Sequence, residues 1–395
     1  MEIDEIYDTD HSIDEKMIDL HQICSSLARP FFWYTEKVIF SFSSKKMFFQ
    51  EGHKKEYYRA AYKVFSLALS APMIPIALFL TVIEMPIRLY VNLTQKKPFT
   101  YKKGKAEEKI YNEDRNLSIF SLNTCFVAGG FPVMFAGVYP WSYRLEGVSQ
   151  KILAEDADIV CLQEVNDVAA SYALYDKLKD SYAHFYINIG PATLSQNSGL
   201  FIASKYPISN PNFFEFNENK GLQKAVNKGC FDCEIISQNK KIAHIFTAHF
   251  PPSKSDETPT EEEKQFRKEA FDKIFVRMNE VDTSNNSVPF VLAADMNASI
   301  NSEEFEDLSS NFKVDSSLQG TCLTDFLVDK LWKDTASEEV TYSFDNVLLL
   351  TSLSDKKTMS QGWDLHSSIV EMFSANGSFS KNLSDHHGIK TTLTL

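Results

Sequence analysis

The sequence predicts an α+β fold in which packed β-sheets present their strand ends to one shared site. Short β-rich runs alternate with longer, polar, helix-compatible segments from about residue 116 onward, and nearly every run ends in a polar cluster. The first hundred residues differ: they are rich in Phe and hold the longest apolar stretch. At 395 residues, 44% hydrophobic and 24% charged, the chain suits one large folded domain with a smaller appendage. The division is expected at 1–110, a membrane-associated helical region, and 114–395, a catalytic domain.

Strands are expected at 117–122, 159–162, 199–203, 229–235, 241–249, 289–293 and 342–349, and helices at 143–154, 170–178 and 260–279. Such an order places side chains from several strand ends around one centre. Cys230 and Cys233 form a C-x-x-C, but no second pair or clustered His completes a zinc site. The alternation through Cys230-Phe231-Asp232-Cys233 reads as strand instead. Six scattered cysteines exclude a disulfide scaffold.

The net charge of −13 hides a division. Residues 45–105 hold twelve Lys or Arg against three acids, a charge of +9, which leaves −22 on the rest. So acidic a body is a poor partner for a phosphate backbone, and nucleic acid is not expected as a ligand. Within the basic segment, 64–83 is twenty residues without a charge, enough to cross a bilayer core, and the apolar character resumes to 93. Pro72 and Pro75 kink or break a helix there, which favours a monotopic insertion over a single pass without deciding between them. Phe31, Phe32, Trp33, Tyr34, Phe40, Phe42, Phe48 and Phe49 read as interfacial anchors, and the flanking lysines as contacts for anionic lipid. The acidic N-terminus is not expected to act as a signal peptide. A membrane-associated protein is expected, with its sidedness and oligomeric state not legible.

The strand ends carry the chemistry. Asn123 closes the first strand, Gln163-Glu164 the second, and Thr247-Ala248-His249 the strand that begins near Lys241. Asp295-Met296-Asn297 follows the 289–293 run, Asp345-Asn346 lies in a later strand, and Ser384-Asp385-His386 stands near the C-terminus. In order and context this set resembles the endonuclease/exonuclease/phosphatase superfamily. The resemblance implies a four-layer α/β sandwich of the DNase I-like type and a Mg²⁺-dependent attack on a phosphoester, with Mn²⁺ as the alternative ion. Mg²⁺ takes hard oxygen ligands and keeps several waters, so few protein groups suffice. Glu164 and Asn123 fit that role, with Asp385 at the metal's outer shell. By the same resemblance Asp295 handles a proton, Asn297 and His249 donate to the phosphate, and Asp345 orients His386. Whether Asp295 or His386 is the base stays open. Asp295 and Asn297, two apart on an extended segment, are expected on one face.

Within the superfamily, Asn197-Ser198-Gly199-Leu200-Phe201-Ile202-Ala203-Ser204-Lys205-Tyr206-Pro207-Ile208 is similar to the N-S-G-L-x-x-A-S-R-Y-P-I segment of neutral sphingomyelinases. Asn227-Lys228-Gly229 resembles their S/N-K-G element, which implies that Lys228 meets the substrate phosphate. The apolar, basic N-terminal region resembles that of the membrane-associated type. Gln223 departs from the pattern, because an Asp stands there in that subfamily and pairs with the lysine. The expected reaction is hydrolysis of a membrane phospholipid, sphingomyelin first, to ceramide and phosphocholine. The alternatives are another phospholipid or inositol-lipid phosphohydrolase, then a nuclease, or a membrane module with a dead site. The Trp-x-Gly-Asp-x-Asn-Tyr-Arg-like element of inositol-lipid phosphatases is absent, and no ligand is missing as a dead site would require.

Overall fold

The computed structural model describes residues 98–112, 116–127, 138, 141–190, 197–216, 226–253, 258–281, 287–323, 342–353, 358–372 and 382–395, with separate positions between 61 and 89. Its strands are β1 (Thr100–Lys103), β2 (Leu117–Asn123), β3 (Ile159–Gln163), β4 (His184–Ile187), β5 (Phe201–Ser204), β6 (Ile208–Glu215), β7 (Gly229–Ser237), β8 (Lys240–His249), β9 (Phe290–Asp295), β10 (Phe312–Lys313), β11 (Asp345–Leu350), β12 (Asp364–Val370) and β13 (Gly388–Thr394). The helices are α1 (Trp141–Glu155), α2 (Val168–Leu178), α3 (Glu261–Glu280) and α4 (Glu303–Ser309). All seven expected strands and all three expected helices are present, with ends shifted by up to three residues.

Two mixed sheets form. One has the order β1-β4-β5-β3-β2-β13-β12 and the other β10-β11-β9-β8-β7-β6. Period-2 alternation along each strand then makes three separate cores. Between the sheets, Ile119, Cys161 and Ile202 of the first pack with Phe231, Cys233, Ile245, Val291 and Val347 of the second. On the outer side of the first sheet, Phe120, Leu122, Val160 and Phe201 meet Val148 and Ile152 of α1 and Leu174 of α2. On the outer side of the second, Phe246, Leu292 and Leu348 meet Ala270, Phe271 and Ile274 of α3. The result is helix, sheet, sheet, helix. The C-x-x-C reads as strand here too: three apart on β7, Cys230 faces the helix core and Cys233 the inter-sheet core.

The helices begin where side chains satisfy their first amides. Asp167 accepts from Ala169 N at 2.8 Å to start α2. At α3, Thr260 and Glu263 form a reciprocal capping box.

The boundary expected near 110 falls inside this body rather than before it. β1 pairs with β4 from Thr100↔Ile187 to Lys103↔His184, and Lys109 Nζ bonds the buried Asp158 carboxylate. Period reasoning missed β1 because four residues between basic and polar flanks carry too little alternation. Part of the basic segment is thus tied to the catalytic body, and Lys105 pairs with Asp180 at 3.2 Å.

The described positions between 61 and 89 are helical, Pro72 and Pro75 included. Phe65, Leu78, Phe79 and Val82 among them are 62–69% exposed. Among the described residues, no helix is long and apolar enough to cross a membrane. The expected aromatic anchors at 31–49, most of the basic segment and Gln223 lie outside the described residues.

Candidate active site

Strand register gathers the functional side chains. In the first sheet Asn123 is the partner of Gln163 across parallel strands β2 and β3. In the second, Asp295 is the partner of His249 on one side and of Asp345 on the other. These inward positions all lie at one end of the sandwich, where the inter-sheet core gives way to polar groups. Immediately beneath, Gln163 Nε2 donates to Ser121 Oγ at 3.3 Å and Thr247 Oγ1 at 3.4 Å, linking the two sheets through a hydroxyl layer.

Asp295 is buried and accepts from Asn123 Nδ2 at 2.8 Å through Oδ2. Burial opposes its charge, but the charged His386 ring, the Asn123 hydrogen bond and the Lys228 ammonium together hold its carboxyl below the usual range. His249 Nε2 lies 3.5 Å from Asp295 and 3.8 Å from Glu164. Lys228 Nζ stands 2.8 Å from the same His249 nitrogen and donates to Phe250 O at 3.0 Å. Burial, and then the neighbouring Lys228, push His249 down to about 3, so the ring is neutral. Its Nε2 therefore accepts from Lys228 and its proton resides on Nδ1, which has no hydrogen-bond partner among the described residues. Burial likewise lowers Lys228 to about 8, against the pull of Glu164 and Asp295.

His386 Nδ1 contacts Asp345 Oδ2 at 2.8 Å, the pairing expected from the sequence. Burial opposes charge on the ring, but the Asp345 carboxylate outweighs it and holds the imidazolium well above the ordinary histidine range. Ser384 Oγ donates to Asn123 O at 2.7 Å, which ties the Ser384-Asp385-His386 segment to the end of β2.

Glu164 follows β3 in a left-handed conformation, φ +58°. Such backbone persists in a non-glycine residue only where the surroundings enforce it. The enforcing group is the Asn197-Ser198-Gly199 motif. Val165 N donates to Gly199 O at 2.8 Å, and Gly199, at φ +82°, lies so close that a Cβ would stand 2.9 Å from both Glu164 N and Cα. Asn197 Oδ1 accepts from Gly199 N at 2.8 Å, and Asn166 Nδ2 donates to Asn197 O at 3.2 Å. Burial, then repulsion from Asp385, raise the Glu164 carboxyl to about 7. Its side chain is 25% exposed, so solvent reaches it from the cleft and tempers that shift.

Asn297 departs from the extended geometry expected of it. β9 ends at Asp295, and Asn297 sits in a turn at φ +47° with its Nδ2 donating to Phe250 O at 3.0 Å. The Phe250 carbonyl thus anchors Asn297 and Lys228 together. His387, beside His386, is buried and accepts from Met372 N at 3.1 Å through Nδ1.

Sequence reasoning missed two contributors. Arg144 of α1 is buried, and its guanidinium ends beside Asn123's loop. The one signal for it was an arginine on the 144, 148, 152 stripe of an otherwise apolar helix face. Cys322 bridges His386: His387 N donates to Thr321 O at 2.7 Å and Leu323 N to Asp385 O at 2.8 Å, bracketing the two residues as a pair. No local pattern marks it.

Asp295, Asp345 and His386 place one ligand atom each within 4.8 Å of one another, near enough to share a cation. Glu164, Asp295, Asp345 and Asp385 outnumber Lys228 and His386, and Asp345 Oδ1 and Gln163 Oε1 are buried without partners among the described residues. An excess of hard oxygen donors around a cleft fits a divalent cation of the Mg²⁺ type.

A two-sheet sandwich whose inner faces end in carboxylates, an amide and a carboxylate-paired histidine defines a hydrolase of phosphoesters. The chain belongs to the Endonuclease/Exonuclease/phosphatase family, whose pattern matches residues 127–349, more than half of its length. It is 24% identical over 245 residues to a phospholipase C of Staphylococcus aureus, covering 58% of this chain and 70% of that one. It is also 24% identical over 195 residues to a sphingomyelinase C of Listeria ivanovii, covering 45% and 57%. Among solved structures, the Staphylococcus aureus beta toxin, in a variant with bound magnesium ions, superposes with a TM-score of 0.53 at 17% identity, over 70% of this chain and 99% of that one.

Proposed function

We propose that this protein is a Mg²⁺-dependent phosphodiesterase that cleaves sphingomyelin to ceramide and phosphocholine at a membrane surface. The observation that carries the reading is the meeting of Glu164, Lys228, His249, Asp295 and the Asp345–His386 pair at one end of the sandwich. Its curated relatives, a phospholipase C and a sphingomyelinase C, support the lipid substrate. The magnesium in the beta toxin structure supports the ion.

Glu164 and Asn123 would hold the metal, with Asp385 at its outer shell, and the three offer oxygen to the ion. Asp295, Asp345 and His386 are the less suitable set, because a shared cation would displace the 2.8 Å Asp345–His386 contact. When bound, the ion neutralises charge on the phosphoryl oxygens. Lys228 and Asn297 supply donors to the same oxygens, neutral His249 holds the Lys228 ammonium through Nε2 rather than donating to the phosphate itself, and Asp345 fixes the ring of His386. The attacking water's proton goes to Asp295 or to His386. Because Asp345 holds the His386 ring protonated well above the ordinary histidine range, a His386 base requires kcat to rise only at high pH, and loss of that limb in His386→Gln but not in Asp295→Asn would assign the base to His386.

The exposed apolar side chains at 64–89 and the lysines of 45–105 support membrane association with a preference for anionic lipid. The deciding experiment is Mg²⁺-dependent phosphocholine release from sphingomyelin vesicles by the full chain. Release of free phosphate from an inositol-lipid vesicle instead, or cleavage of DNA alone, would replace the substrate.

A further inference from the structure

We infer that Arg144 is a positioning residue for the metal site, a role that rests on the metal reading above. Its side chain enters from the outer layer, where α1 covers the first sheet, and is buried. Nη1 donates to Thr124 O at 2.8 Å and Leu383 O at 2.5 Å, and Nη2 to Cys125 O at 2.5 Å. These three carbonyls come from two segments far apart in sequence. Thr124 and Cys125 directly follow Asn123, and Leu383 stands two residues before Asp385. One planar fork therefore sets the spacing of the proposed ligand Asn123 and the outer-shell Asp385, which a lysine's single nitrogen cannot reproduce.

The clamp also reaches the Asn123 side chain. Cys125 is held at φ +50°, and in that turn its N–H donates to Asn123 Oδ1 at 3.0 Å. Main-chain strain of this kind requires an external restraint, and the Arg144 bonds to the carbonyls on either side of the turn supply one. Gly147, one helical turn after Arg144, lets Leu383 lie against α1, since a Cβ there would stand 2.3 Å from Leu383 Cδ2. The guanidinium also stacks over Phe126 at 5.0 Å, which fixes its plane.

The test is direct metal binding by the full-length protein, read by the loss of free Mn²⁺ signal in electron paramagnetic resonance, with a thermal melt of each variant. Arg144→Lys is expected to keep a melt close to wild type yet bind Mn²⁺ at least fivefold more weakly. Arg144→Met is expected to bind at least tenfold more weakly, and if it does not fold, the lysine variant decides. A merely structural arginine would lower the melt and leave the affinity of the folded fraction unchanged. Wild-type binding matched within twofold by Arg144→Lys overturns this role alone. Absence of Mn²⁺ binding by the wild type overturns the metal reading, and this role with it.

Discussion

Replacing Gly199 with Ala tests how the Asn197-Ser198-Gly199 motif serves the site, because it leaves every proposed ligand in place. The added Cβ would meet Glu164 N and Cα at 2.9 Å and Asn166 Nδ2 at 2.7 Å, and two of these three atoms are main chain that cannot swing aside. Alanine at φ +82° adds a left-handed penalty of about 1–2 kcal/mol. Loss of the 2.8 Å Val165–Gly199 hydrogen bond adds about 1 kcal/mol. The expected destabilisation is therefore about 2–3 kcal/mol, more if Glu164 does not yield. If it does yield, the carboxylate moves, and a displacement near 1 Å costs on the order of a hundredfold in rate. Urea unfolding and Mn²⁺ titration read the two effects. Gly362→Ala is the control: it has a similar φ of +87°, but its Cβ meets only the end of the Leu395 side chain at 3.2 Å. That variant should lose about 1 kcal/mol and bind metal normally. Equal behaviour of the two variants would refute the brace.

Metal affinity should weaken as pH falls through about 7, where Glu164 takes up a proton, by roughly tenfold per unit below that point. Calorimetry in buffers of different ionisation heat should register proton release at pH 6 that Glu164→Gln abolishes. The sign for stability is the reverse of the usual carboxylate case. With its carboxyl raised from 4.5 to about 7, Glu164 destabilises the metal-free fold as pH rises through that window, and added Mg²⁺ should recover the loss in a thermal melt. Asp345→Asn should cut kcat by about 10²- to 10⁴-fold with little change in KM, since it removes the partner that orients His386; a shift in KM alone would contradict that role. Deleting residues 1–97 should impair vesicle binding far more than hydrolysis of a soluble analogue, whereas deletion through 110 should also unfold the sheet edge by removing β1. Equal loss on both substrates after the shorter deletion would place the N-terminal region in the catalytic core.

Much of the fold and site is legible in sequence because strands and their endings are local. Alternation marked β2, β3, β7, β8 and β9, and the residues at their ends, Asn123, Glu164, His249 and Asp295, announce hard-oxygen and proton-transfer chemistry. Order along the chain then identified the family. Tertiary structure decided what lies between distant segments. Asn297 leaves the strand for a turn because Phe250 O waits beside it. Gly199 matters for its contact with Glu164, thirty-five residues earlier, rather than for its own turn. Arg144 looks like a misplaced charge until the carbonyls of Cys125 and Leu383 are brought to it. Periodicity records which face a residue presents, and only the packed sheets determine what that face meets.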